Sequence, residues 1–382
     1  MPINIVFCAD GTWSGLGRGD AEDAVEPGAT NVLRLFAALD GRITDDSLRK
    51  RDEQERLACA VDGEPAQIAK YIHGVGDSRN AIRKILGGVF GEGFIERIVR
   101  GYTFVSRNYQ AGDRIMLVGF SRGAYTVRAL GGMIVRMGLL PVHAMRDEYG
   151  RYDAELAYRL GIHVWASYRE QAGKHSTLLG YLSEFKGQPI ALGALAKNIA
   201  IDSVAVWDTV GSLGIPLQGG KDDQRIDVFQ FADRALSPQV AAGFHALALD
   251  EQRGDFVPTL WDAREGVVQR WFCGAHSDVG GGSAAPDYAS ITLRWMIAKL
   301  AARGVLFAPS EAPGAELAFG PVGQPHRDPP FDLRPHRPRT LPADARFHPS
   351  VQACLDGLAA YAPDNLKGLL KKRRLDPSLL VD

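Results

Sequence analysis

The 382-residue chain has no long apolar run. Without roughly 18 or more consecutive apolar residues it offers no membrane-spanning helix. Cysteine is scarce: Cys8, Cys59, Cys273 and Cys354 are scattered, with no C-x-x-C pair and no zinc spacing. Buried free thiols in a reducing compartment are therefore expected, not a disulfide framework. Charge of one sign is also lacking. A net charge of −1 gives no electrostatic footprint for nucleic acid, and no nucleic-acid partner is expected. The opening Met1-Pro2-Ile3-Asn4-Ile5-Val6-Phe7 has no charged n-region and no cleavage site. It reads as a first strand and not as a signal peptide, so the protein is expected to be cytoplasmic as synthesised. No internal repeat is present.

What the chain does have is an alternation of β-rich runs and helical patterns. Apolar runs at Ile3–Cys8, Arg56–Val61, Arg114–Val118, Ile199–Trp207 and Val267–Phe272 are nearly continuous, as suits strands buried on both faces of a parallel sheet. Helical periodicity falls at 30–39, 94–110, 124–137 and 291–302, with Thr30 or Asn31 as a first cap and Gly138 as a stop. The pattern predicts an α/β fold, a mostly parallel sheet flanked by helices. The expected organisation is a catalytic body over 1–305 carrying a helical cap insertion at 141–198. An extended Pro-rich segment at 306–345 and a short helical piece at 346–382 follow, the latter with helix expected over 351–374.

Gly119-Phe120-Ser121-Arg122-Gly123 is the stretch that carries chemistry. An apolar strand precedes it and a helical pattern follows, which puts Ser121 on a tight turn with its hydroxyl pushed toward a cleft. A serine hydroxyl needs a base within hydrogen-bond reach. Of nine histidines, His276 follows a strand and enters a glycine-rich loop, Gly274 to Gly282, where a base belongs. His245 is the competitor, but it lies in a helical pattern over 238–249, where packing is the expected role. The acid that orients the base should close a strand between serine and histidine, and Asp208 does so. Asp278 is the alternative acid, more suited to bracing the glycine loop. An oxyanion hole needs two N–H donors. Arg122, next after the serine, supplies one, and Gly11 or Thr12 in the turn after the first strand supplies the other, beside Asp10.

Three further features have plainer readings. The run Gly87 to Gly93 lacks the Lys-Ser/Thr of a phosphate loop and reads as a turn. Asp10, Asp208 and Asp278 could meet at strand ends as a metal site, which gives a metal-dependent hydrolase as an alternative. Lys371-Lys372-Arg373-Arg374 could touch lipid phosphates but suits a solvated helix end. A non-catalytic interaction protein on a hydrolase fold is the remaining alternative.

Seven motifs in order, Phe7 to Trp13, Thr30-Asn31-Val32, Gly74-Val75-Gly76, Gly119 to Ala124, Trp207 to Ser212, His245 to Glu251 and Gly274 to Gly282, resemble the catalytic domain of bacterial type VI secretion phospholipase effectors. Arg346 to Val351 resembles a further segment of that family. The resemblance implies an α/β-hydrolase core and, position by position, a Ser121, Asp208 and His276 triad. It implies a serine esterase or lipase of phospholipase A type, acting on an ester or phospholipid substrate without metal or organic cofactor. It also implies peripheral membrane contact, a secretion-spike or immunity partner, and delivery outside the cell by a type VI secretion system.

Overall fold

The computed structural model describes residues 2–11, 28–48, 53–74, 90–171, 190–210, 235–254, 256–282, 287–310 and 336–382. Eight strands form one sheet in the order β2-β3-β4-β1-β5-β6-β7-β8. They are β1 (Asn4–Ala9), β2 (Arg42–Ile43), β3 (Glu53–Cys59), β4 (Pro65–Ile72), β5 (Arg114–Phe120), β6 (Ile201–Trp207), β7 (Val240–Ala248) and β8 (Val267–Phe272). From β4 through β8 every neighbouring pair is parallel, while β2 and β3 add an antiparallel edge. Every residue of β1 is buried, and so are the last six of β5. Burial on both faces explains why those strands are apolar throughout and not alternating.

Helices cover both faces. On one lie α1 (Asn31–Ala38) and α7 (Asp287–Ala302), with α8 (Pro349–Gly357), joined through Phe36, Trp207, Trp271, Trp295 and Val351. On the other lie α3 (Phe90–Asn108), α4 (Ser121–Met137) and α5 (Ala154–Gln171), joined through Phe7, Val99, Leu130 and Trp165. The one-turn α2 (Asp45–Leu48) and the short α6 (His276–Gly280) complete the described helices. The result is a helix–sheet–helix sandwich of α/β-hydrolase type, with β1 between β4 and β5 at the point where the strand order reverses. Ligand clefts in such sheets form outside the carboxyl ends of the strands, at that reversal.

Local signals account for several boundaries. Thr30 caps α1, its Oγ accepting from the Leu33 N–H at 3.2 Å. Gly138 stops α4 at φ 92°, a conformation that disfavours any side chain. Other expectations need correction. Within 238–249 the chain forms strand β7, not a helix, because pairing between β6 and β8 buries all of Val240–Ala248 except Ala241 and overrides the helical propensity of its four alanines. The helix expected over 351–374 ends at Gly357. Pro363 and Gly368 fall in the remainder, which closes into 3₁₀ turns and a small loop where Arg373 donates to the carbonyls of Leu355, Ala359 and Tyr361. The helix in the predicted cap segment, α5, packs on α3 and α4, with Tyr168 against Gly132. All four cysteines are free. Cys8, Cys273 and Cys354 are buried, whereas Cys59, at the end of β3, is exposed.

Candidate active site

β5 runs straight into α4 through Phe120 and Ser121. Ser121 sits at φ 56°, a left-handed conformation rare for a residue with a side chain and costing on the order of 1–3 kcal/mol. Close backbone approach makes the neighbouring glycines necessary. A Cβ on Gly119 would lie 2.6 Å from the Gly123 carbonyl oxygen, and one on Gly123 would strike the Ala9 carbonyl. β1, β5 and α4 can therefore meet this closely only without those side chains. The turn lifts the serine hydroxyl out of the sheet and leaves the first N–H groups of α4 without helical partners.

Ser121 Oγ lies 2.8 Å from Nε2 of His276. The opposite ring nitrogen, Nδ1, lies 2.5 Å from Oδ2 of Asp208. His276 opens α6, just after β8, and Asp208 follows β6 directly, itself at φ 36°. Three side chains far apart in sequence thus form one hydrogen-bonded chain along the carboxyl ends of β5, β6 and β8. The imidazole is held between two rings, Phe120 at 4.6 Å and the edge of Phe256 at 4.9 Å between centroids. Gly280 allows this, since a Cβ there would occupy the Phe120 ring.

Asp208 is fully buried, yet it is held well below the usual carboxylate range. Burial pushes it up, and the Arg339 charge, the His276 hydrogen bond and the Arg339 hydrogen bonds together outweigh that push. Arg339 was not among the expected site residues. It lies in the 306–345 segment, and no local spacing or motif marks it. Glu251, following β7, is a second addition: its Oε2 accepts from the His276 backbone N–H at 3.3 Å. Burial pushes its carboxyl up, but the pairing with Arg253 at 2.7 Å brings it below its ordinary value.

Asp10 closes β1 beside the elbow. Its Oδ1 accepts from the Gly11 N–H at 2.6 Å, and its Oδ2 from the hydroxyls of Thr30 at 2.5 Å and Tyr71 at 2.7 Å. Burial raises it to about 6 against those bonds and the Arg97 charge. The Gly11 N–H is thus engaged by Asp10, although Gly11 itself abuts the nucleophile turn, where a Cβ on it would lie 3.2 Å from Ser121 Cβ. Thr12 lies outside the described residues. Asp278 Oδ2 accepts from the Ala275 N–H at 3.0 Å and so braces the start of the loop that carries His276. The three aspartates do not converge. Among the described residues no three His, Cys, Asp or Glu side chains stand close enough to share an ion.

His245 is buried in β7, where its Nε2 accepts from the Thr209 N–H at 3.1 Å. It steadies the turn that presents Asp208, and burial lowers it to about 3, so it stays neutral there. Two arginines lie on the helices next to the elbow, Arg122 directly after Ser121 on α4 and Arg97 on α3. Burial lowers Arg97 to about 10, and Arg122 also to about 10, where the Arg97 charge adds to the fall. Arg97 Nε is fixed on the His73 carbonyl at 2.7 Å.

Residues 3–299 match the family described as T6SS, phospholipase effector Tle1-like, catalytic domain. An uncharacterized Saccharomyces cerevisiae protein, YEL023C, is 31% identical over 142 residues, 36% of this chain and 18% of that protein. Among solved structures, an uncharacterized protein from Pseudomonas aeruginosa gives a TM-score of 0.40 at 16% identity, covering 82% of this chain and 48% of the other. The Tle1 effector bound to the VgrG spike of the type 6 secretion system gives 0.37 at 17% identity, covering 74% and 51%. The chain therefore spans about half the length of those two structures and less of the yeast protein. With residues 3–299 of 382 matched, the chain belongs to the family of Tle1-like catalytic domains of type VI secretion phospholipase effectors.

Proposed function

We propose that the protein is a serine hydrolase of acyl esters, acting on phospholipids in the manner of a phospholipase A. The observation that carries this reading is the continuous hydrogen-bonded chain Ser121–His276–Asp208 at the elbow, at 2.8 and 2.5 Å, in a chain of this family.

In the reaction, Ser121 Oγ attacks the acyl carbonyl carbon as its proton passes to His276 Nε2. Asp208 accepts the Nδ1–H, which fixes the tautomer and stabilises the imidazolium. The carbonyl oxygen becomes an oxyanion and takes the Arg122 N–H at the start of α4. The second donor belongs to the turn after β1, Gly11 or Thr12, where the Gly11 N–H is held by Asp10 and Thr12 lies outside the described residues. Collapse of the tetrahedral species breaks the ester C–O bond, and His276 gives its proton to the departing alcohol oxygen. Water then repeats the two steps on the acyl-enzyme, releasing the fatty acid and regenerating Ser121. Asp10 and Asp278 support the two loops. No step requires a metal or organic cofactor.

Delivery on a secretion spike, a neutralising immunity partner and peripheral membrane contact follow as further proposals from the family. No described helix is long and apolar enough to cross a bilayer.

The test is turnover of short-chain p-nitrophenyl esters and of phospholipid vesicles by wild type and Ser121→Ala. Loss of about 10⁴-fold or more in kcat is expected. Unchanged turnover in the mutant would remove Ser121 from the mechanism.

A further inference from the structure

Asp208 receives more donors than orienting a histidine requires. Arg339 grips both carboxylate oxygens at once, Nη1 to Oδ1 at 2.6 Å and Nη2 to Oδ2 at 2.9 Å. The Ala248 N–H adds a bond to Oδ1 at 3.0 Å. The second hydrogens of Nη1 and Nη2 reach the carbonyls of Ala248 and Phe256, each at 2.6 Å. The fork thus ties the ends of β6 and β7 to the segment that presents Phe256, the ring whose edge rests on His276. The Arg339 side chain is 5% exposed and that of Asp208 0%, so neither water nor salt screens the pair appreciably.

Arg339 is 40 residues past the end of the family match at 299. Its strand of chain is pinned on both sides. The Arg337 N–H donates to the Gln252 carbonyl at 2.8 Å, next to Glu251. Farther on, the Arg346 carbonyl and His348 N–H bond to Trp271 of β8, both at 3.0 Å, five residues before His276. The segment therefore runs from the Glu251 loop to the strand that delivers the base.

Building on the triad reading above, we propose that Arg339 is a positioning residue of the active site. It clamps Asp208 in the plane that receives Nδ1–H of His276, so that chain beyond residue 299 completes the catalytic machinery. A bidentate guanidinium fixes the rotation of a carboxylate in a way that a single hydrogen bond does not. It also supplies the formal charge that lets a carboxylate remain ionised with no access to water.

A mere tether would behave differently. Among the described residues, the charged or titratable groups around His276 are Asp208 after β6, Glu251 paired with Arg253 after β7, Asp278 on its own helix, Ser121 on α4 and Arg339 on the C-terminal segment. Of these only Arg339 places an uncompensated positive charge on Asp208. Without it, burial pushes Asp208 toward its protonated form. A protonated Asp208 no longer stabilises an imidazolium, so the acidic limb of the rate profile moves to higher pH.

The experiment measures kcat and KM on p-nitrophenyl butyrate, and the rate of fluorophosphonate labelling of Ser121, across pH in full-length Arg339→Met, Arg339→Lys and Phe347→Leu proteins. For Arg339→Met we expect a fall of about 10²-fold in kcat and in labelling rate, with KM little changed. Its acidic limb should rise by about one pH unit or more. Arg339→Lys keeps the charge but loses the fork, so its limb should stay near the wild-type position while kcat still falls. Phe347→Leu loosens the segment away from Asp208, so thermal stability should fall with the limb unmoved. If Arg339→Met does not fold, Arg339→Lys decides: wild-type kcat and labelling in that variant would overturn the proposal. So would a folded Arg339→Met with an unmoved limb. A ¹³C-carboxyl titration of Asp208 in Ser121→Ala and Ser121→Ala/Arg339→Met proteins separates this inference from the reaction itself. If wild type neither labels nor hydrolyses, the hydrolase reading falls. An upward shift of the Asp208 titration on loss of the guanidinium would still support the clamp, and no shift would overturn it.

Discussion

Two aspartates close two strands of the same sheet, and their surroundings drive them in opposite directions. Asp10 ends β1 and Asp208 ends β6, and both are buried. Asp10 takes its hydrogen bonds from neutral donors, the hydroxyls of Thr30 and Tyr71 and the Gly11 N–H, and despite the Arg97 charge it rises to about 6. Asp208 has comparable burial but a guanidinium fork and an imidazole, and it drops well below the usual range. Neutral hydrogen bonds satisfy a carboxylate without restoring what hydration gave its charge, whereas a formal positive charge within bonding distance does. The consequence is a division of labour along one rim. The β6 end holds an anion suited to an imidazolium, and the β1 end holds a carboxyl raised to about 6 that bonds Gly11, Thr30 and Tyr71.

The largest expected effect on this contrast comes from Asp208→Asn. The amide keeps the shape but removes the charge, and kcat should fall by about 10⁴-fold, as when a triad acid is neutralised elsewhere. The melting temperature should fall as well, because the buried Arg339 loses its counter-ion. A kcat within tenfold of wild type would break the contrast at its stronger end.

Asp10 predicts a signature in stability. Its folded value, about 6, lies above the ordinary 3.8. A raised carboxyl favours the protonated protein, so its contribution is complete below about pH 4 and is lost as pH rises through about 6. The swing is on the order of 3 kcal/mol at most. Urea denaturation from pH 4 to 7 should show that component in wild type and a flatter curve in Asp10→Asn. Asp208 has the reverse sign: its contribution is present above about pH 4 and erodes as pH falls further. A curve for Asp10→Asn identical to that of wild type would show that Asp10 is ionised throughout. The smallest effect is expected from Tyr71→Phe, which removes one neutral donor. It should cost about 1 kcal/mol and move the Asp10 component to higher pH.

The same contrast separates what was legible in the sequence from what was not. Ser121, His276 and Asp208 each carry a local mark: a glycine-flanked turn after an apolar run, a glycine-rich loop after a strand, and an acid closing a strand. The structure brings all three within hydrogen-bond reach. The core strands β1, β5 and β6 were readable because burial on both faces demands continuous apolar runs. β7 was not, since Val240-Ala241-Ala242-Gly243-Phe244-His245-Ala246-Leu247-Ala248 has helical propensity and becomes a strand only by pairing between β6 and β8. β4 was missed because Gln67 and Lys70 interrupt its apolar pattern. Gln67 is buried nonetheless, bonding to the chain at Leu306, while Lys70 pairs with Glu53. Arg339 is the extreme case. Its meaning lies in a contact with a residue 131 positions away, inside a Pro-rich stretch with no periodicity to betray it.

The most direct measurement of the central claim is the site and rate of covalent labelling by a fluorophosphonate probe, mapped by mass spectrometry in wild type and His276→Ala. A single adduct on Ser121 in wild type, with labelling suppressed by orders of magnitude once the imidazole is gone, is the predicted result. A folded wild-type protein that takes no adduct, or a His276→Ala protein labelled at the wild-type rate, would contradict it.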